Sequence, residues 1–93
     1  MTIGALTLEL LIPESHSLKD KRHVIQSLMK KLRNQFNVSV AEVEHQDVWQ
    51  RSTIAVVSVN SSPAELDRTL DYVVNFVQGD EEIEIIRIGV EHR

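Results

Sequence analysis

There is no cysteine among the 93 residues. That excludes disulfides, thiol nucleophiles and cysteine-ligated zinc or iron–sulfur centres. Glycine occurs three times, at Gly4, Gly79 and Gly89, so no glycine-rich loop is available to cradle a phosphate. Aromatic residues make up 4% of the chain. None falls in TIGALTLELLI or STIAVVSVN, the two most apolar strand-like runs. No apolar run approaches the roughly 20 residues that cross a bilayer. The start, MTIGALTLEL, lacks the charged region of a signal peptide. The expected location is therefore cytoplasmic, with no membrane partner. His16, His23, His45 and His92 are scattered, and no His-x-x-x-His pair occurs. The nearest approach to a ligand set is His45 with Asp47, so no metal site is expected. The serines sit at cap and strand positions without a matched base. No catalytic residue and no cofactor is expected.

What is present is one domain's worth of chain, with ordinary hydrophobic (42%) and charged (26%) fractions. It is organised around Ser17–Phe36, SLKDKRHVIQSLMKKLRNQF. Leu18, Val24, Ile25, Leu28, Met29, Leu32 and Phe36 fall within roughly 140° of arc at 100° per residue, one buried stripe of an amphipathic helix. Ser17 is its N-cap, with Asp20 three residues on. Lys19, Arg22, Gln26, Lys30 and Arg33 fall within roughly 80° on another face. Lys21 falls inside the apolar stripe. It either snorkels at the helix end or pairs with a carboxylate such as Glu42.

Charge is unevenly placed. The net charge is −4, yet residues 18–33 sum to +5 and residues 60–93 to −5. Such a chain would bind polyanions locally and in a salt-dependent way rather than as a generic basic protein. The basic stripe reads in two ways, as a solvated face or as a phosphate-contacting one. The helix start, with free N–H groups, serine hydroxyls and Lys/Arg, reads as anion-friendly.

Around this helix the chain alternates between strand and helix patterns. Residues 2–12 read as a central strand with Leu6, Leu8, Leu10 and Ile12 on one face and Ile3, Ala5, Thr7, Glu9 and Leu11 on the other. Residues 37–45 read as a wetter edge strand carrying Glu42 and Glu44. Residues 46–51, QDVWQR, connect it to a more buried strand at 52–60. Ser62-Pro63-Ala64-Glu65 starts a second helix. Its stripe is Leu66, Leu70, Val73, Val74 and Val77, and Gly79 ends it. Residues 81–91 form the last strand. The order β-α-β-β-α-β predicts an α+β, ferredoxin-like domain over residues 1–93: a four-stranded antiparallel sheet, order 4-1-3-2, with two helices on one face. That topology sets the 46–51 hairpin at the same end as the start of the basic helix, with His45, Trp49 and Arg51 near Ser17, Lys19 and Arg22.

The Ser17–Arg22 run SLKDKR, the Phe36–Glu42 run FNVSVAE and the Asp47-x-Trp49-Gln50-Arg51 loop together resemble the YlxP-like bacterial proteins. The resemblance covers nearly the whole chain. It implies a ferredoxin-like domain, a bacterial cytosolic setting, a loose association with translation genes and no agreed activity. It carries over no catalytic residue and marks Lys19, Lys21, Arg22, Asn37, Glu42, Asp47 and Arg51 only as candidates. Acylphosphatases share such a fold, but their Gly-rich, Arg-bearing loop is replaced here by Pro13-Glu14-Ser15-His16. A sheet-binding RNA module would need stacking aromatics on the central strands, which are absent.

Two functions follow as expectations. The first is a binding module contacting RNA or a ribosomal particle through Lys19, Arg22, Lys30 and Arg33, joined by Arg51 and Trp49 from the hairpin. The second is a homo-oligomeric interaction domain with no nucleic-acid role. Both central strands are apolar on both faces: Ile3, Ala5 and Leu11 oppose Leu6, Leu8 and Leu10, and Ala55, Val57 and Val59 oppose Ile54 and Val56. Two helices cover only one face, so a homodimer or partner is expected over the other.

Overall fold

The period-two alternation at the start of the chain becomes strand β1, Thr2–Leu11, in a computed structural model that describes residues 1–93. Helix α1 follows at Leu18–Gln35, then β2 at Ser39–Glu44, β3 at Arg51–Asn60, α2 at Pro63–Gln78 and β4 at Glu84–His92. The four strands form one sheet in the order β2-β3-β1-β4, and every neighbouring pair is antiparallel. β2 and β4 are therefore the edges.

Alternation decides which residues share a face, and the packing of the helices decides which face is covered. Leu6, Leu8 and Leu10 of β1 and Ile54 and Val56 of β3 are buried, and they join Ile12 in a single cluster. The same cluster takes in Ile25, Leu28 and Leu32 of α1 and Leu70, Val73 and Val77 of α2. Both helices thus lie on one face of the sheet. α1 packs over β2, and α2 over β1 and β3 with a lighter contact to β4. Gly4 lies beneath α2, where a Cβ would stand 2.8 Å from Leu70 Cδ1. A side chain there would force the Leu70 and Leu66 methyl groups to move, so glycine suits the close approach of helix to strand.

The helix ends follow local chemistry. Ser17 accepts a hydrogen bond from the Asp20 N–H at 3.0 Å, and Asp20 accepts in turn from the His16 N–H at 3.2 Å. Ser62 caps α2 by accepting from the Glu65 N–H at 3.3 Å, with Pro63 in the first turn. Ser62→Ala is expected to lower stability by about 1 kcal/mol, because one N–H of the first turn loses its partner. A urea midpoint unchanged from wild type would count against that role for the hydroxyl.

Gly79 ends α2 in a right-handed conformation (φ −78°), so the stop does not depend on glycine's freedom. Asp80 makes the turn: its carboxylate accepts from the Glu82 N–H and its carbonyl from the Ile83 N–H. That turn holds residues 81–83 out of the last strand, which begins at Glu84 rather than 81. No helix is long and apolar enough to cross a membrane.

Candidate functional site

The first turn of α1 carries a fully buried lysine. Lys21 is 0% exposed, as its place inside the apolar stripe requires. Its ammonium has three protons and finds three acceptors: Glu42 Oε2 at 2.7 Å, the His45 carbonyl at 2.9 Å and the Gln46 carbonyl at 3.1 Å. Glu42 Oε2 also accepts from the Ser52 hydroxyl at 2.6 Å. No buried side-chain polar atom in the chain lacks a partner. Of the two readings of Lys21, pairing with Glu42 is the one realised. Snorkelling is ruled out because none of the side chain reaches solvent.

These bonds fix the hairpin that joins β2 to β3. His45 adopts a left-handed backbone (φ 63°), which histidine tolerates better than most residues. Its carbonyl is held by Lys21 and its ring Nδ1 lies 2.9 Å from the Thr53 hydroxyl. On the other side, the Gln50 amide donates to the Pro13 and Ser15 carbonyls, both at 3.1 Å. The Gln50 carbonyl accepts from the Ile12 N–H at 2.8 Å. Arg22 approaches Asp47 at 3.8 Å in an exposed pair. Residues 45–50 are thereby clamped between the start of α1 and the 13–16 loop. From this clamped loop two apolar side chains project into solvent: Val48, 40% exposed, and Trp49, 55% exposed.

The outer ridge of α1 adjoins the hairpin at its N-terminal end. Lys19, Arg22, Gln26, Lys30 and Arg33 are all exposed, as the wheel requires. Lys19 and Lys30 take part in no ion pair, since every ion pair of the chain involves other residues. Arg33 is committed elsewhere: its guanidinium donates to the Val40 carbonyl of edge strand β2 at 2.8 Å.

Arg51 does not join the ridge. It pairs with Glu9 at 3.4 Å, on the sheet face away from the helices, and Glu9 also meets Arg87 at 3.5 Å. Strand alternation is the reason. Ser52 turns its hydroxyl to Glu42 on the helix side, so its neighbour Arg51 faces the other way. The helix start is also less anion-friendly than its residues suggested. Glu14, Asp20 and Glu82 line a shallow cleft there with Lys19 and His23.

Residues 3–90 match the family described as "Protein of unknown function (DUF503)". The chain belongs to the DUF503 family. Among its relatives is "Uncharacterized protein YlxP" of Bacillus subtilis (strain 168), 37% identical over 82 residues, which span 88% of this chain and 89% of that protein. Among solved structures, "De novo designed protein Foldit4" is similar with a TM-score of 0.54 at 10% identity, covering 100% of this chain and 97% of that one. That likeness concerns the fold alone. In this DUF503 chain part of the set that carries the YlxP resemblance meets at the hairpin, while Asn37 lies beside Ser58 at the far end of β2 and Arg51 faces the other side of the sheet. Lys21, Glu42 and Gln50 fasten the hairpin through hydrogen bonds, and Asp47 faces Arg22 in an exposed pair. Gln50 was present in the motif without a role, and nothing local signals one, because its acceptors lie 35 and 37 residues away.

Proposed function

We propose that this chain is a small cytoplasmic binding module with a ferredoxin-like fold that contacts RNA or a ribonucleoprotein through the outer ridge of α1 and Trp49. The β-α-β-β-α-β order and the sheet order, which from the β4 edge runs 4-1-3-2, support the fold assignment. One observation carries the functional reading. An exposed tryptophan stands on a loop that Lys21 fastens through the His45 and Gln46 carbonyls, at the end of a helix ridge whose lysines have no internal partner. A tryptophan on a fastened loop but left in solvent offers a stacking surface. Lys19, Arg22 and Lys30 supply charge for the adjoining phosphates. Arg33 and Arg51 contribute less to this site than their residue types suggested, since one holds β2 and the other faces away.

The test is binding to single-stranded RNA across a salt series. In Lys19→Gln/Arg22→Gln/Lys30→Gln the slope of log affinity against log salt should flatten by about 2, because each lost phosphate contact removes about 0.7. Sequence preference should stay the same, and so should fold stability, as the three charges are exposed. Equal slopes for wild type and variant would reject the ridge as the contact.

A second reading, a self-associating interaction domain, is favoured by a different observation. Val57 and Val59 are exposed on the sheet face without helices, beside half-buried Ile3, Ala5, Leu11 and Ala55. It predicts association without RNA affinity.

A further inference from the structure

The β4 edge of the sheet has the features of a self-complementary interface. β1 is its only partner in the sheet. Ile3 and Arg93 exchange both main-chain hydrogen bonds, and the register continues through Ala5↔Glu91, Thr7↔Gly89 and Glu9↔Arg87. In an antiparallel pair, alternate residues turn their N–H and C=O groups toward the partner. Arg93, Glu91, Gly89 and Arg87 therefore face β1, and His92, Val90 and Ile88 present theirs to the open edge. Ile88 and Val90 share the helix side with Leu8 and Leu6, their register partners, yet remain 44% and 51% exposed. They line a groove of about 650 Å³ against α2, with Leu6, Leu70 and Val74. Half-covered aliphatic side chains next to unpaired main-chain groups invite strand addition.

We propose that a second copy of this chain occupies that edge, its β4 antiparallel to the first, with the two-fold axis at Gly89. In this register Ile88 faces Val90 of the other copy in a hydrogen-bonded pair, and the parity is right, because both present their main-chain groups outward. Arg87 faces Glu91 of the other copy, twice by symmetry, in pairs of opposite charge. A shift of two residues one way sets Arg87 against Arg93; the other way sets it against Gly89. The axial register is thus the one that matches charge. In the single chain Arg87, 79% exposed, reaches only Glu9 at 3.5 Å, and Glu91 meets Arg93 at 2.8 Å, so both charges are accessible for the exchange.

Gly89 supports the same arrangement. A Cβ there would make only ordinary contact with Thr7, at 3.8 Å, so packing within the chain does not require glycine. On the axis its bare backbone lets Arg87 and Glu91 of the two copies close over it. On the helix side, Ile88 and Val90 of both copies would meet between the two α2 helices and fill the shared groove. Charges that oppose indiscriminate edge pairing become, in this one register, the source of specificity. The interface is separate from the α1 ridge and from the Val57/Val59 patch, although Arg87 and Glu91 project from the open sheet face at its β4 margin.

The test is sedimentation equilibrium over a dilution series, with three variants. Wild type should dimerise with concentration. Arg87→Glu should weaken association by about tenfold or more, because both symmetric pairs turn from attraction to repulsion. Arg87→Glu/Glu91→Arg should restore it, since the swapped charges face each other again. Val57→Glu/Val59→Glu, on the open face, should leave the dimer intact. Thermal melts check that the variants stay folded. A wild type that is monomeric throughout overturns the proposal. So does a charge swap that stays as weak as the single variant, or a dimer that is lost with the Val57/Val59 changes and insensitive to Arg87→Glu.

Discussion

Lys21→Met is expected to lower the free energy of unfolding by about 3–5 kcal/mol, the cost of removing one partner from a buried ion pair. Methionine fills a similar volume, so the loss comes from the polar groups left behind rather than from a cavity. The Glu42 carboxylate would keep only the Ser52 hydroxyl, and the His45 and Gln46 carbonyls would lose the donor that holds them. Glu42 retains 17% side-chain exposure, which sets the expected value toward the lower end of the range. Lys21→Met/Glu42→Leu should recover part of the loss by removing the stranded carboxylate. It should not recover all of it, because the Gln46 carbonyl still lacks a donor and the His45 carbonyl keeps only the Val48 N–H. Urea unfolding of both variants checks this. A single-variant loss below about 1 kcal/mol would place the pair with ordinary surface bridges. Trp49, the one tryptophan, reports on the same event locally. Its emission should change in Lys21→Met under conditions where the fold persists, because the hairpin that carries it is no longer held.

Trp49→Ala should leave stability nearly unchanged and weaken single-stranded RNA binding by about 1–3 kcal/mol, the usual worth of one stacked base. That corresponds to about 5- to 150-fold in affinity. The separation of effects follows from exposure. Trp49 is 55% exposed, so truncating it removes little packing within the chain. Trp49→Phe should retain much of the binding, since a smaller ring still stacks. Unlike the ridge variant, Trp49→Ala should leave the salt slope unchanged, because no phosphate contact is lost. A fall in stability comparable to that of Lys21→Met, with binding unaffected, would make Trp49 a packing residue and end its assignment to the site.

The amino-acid order alone determined the parts of this protein that depend on local periodicity. The stripe from Leu18 to Phe36 is α1, Ser17 caps α1 and Ser62 caps α2, and the alternation of β1 sets Leu6, Leu8 and Leu10 on one face. Each rests on residues within a few positions of one another, where spacing dictates the face. The exposure of the basic ridge was legible for the same reason.

What only the tertiary structure decided involves partners distant in sequence. Lys21 meets Glu42 across 21 residues and Gln50 meets Ser15 across 35. Those bonds exist because β2 returns beside the start of α1 and the hairpin closes against the 13–16 loop. The fates of Arg33 and Arg51 turn on details finer than a wheel resolves. One guanidinium reaches a strand-edge carbonyl, and the other falls one position out of phase with Ser52 onto the far side of the sheet. Side-chain type announces a charge, but strand register determines whether that charge fastens the fold or faces a partner.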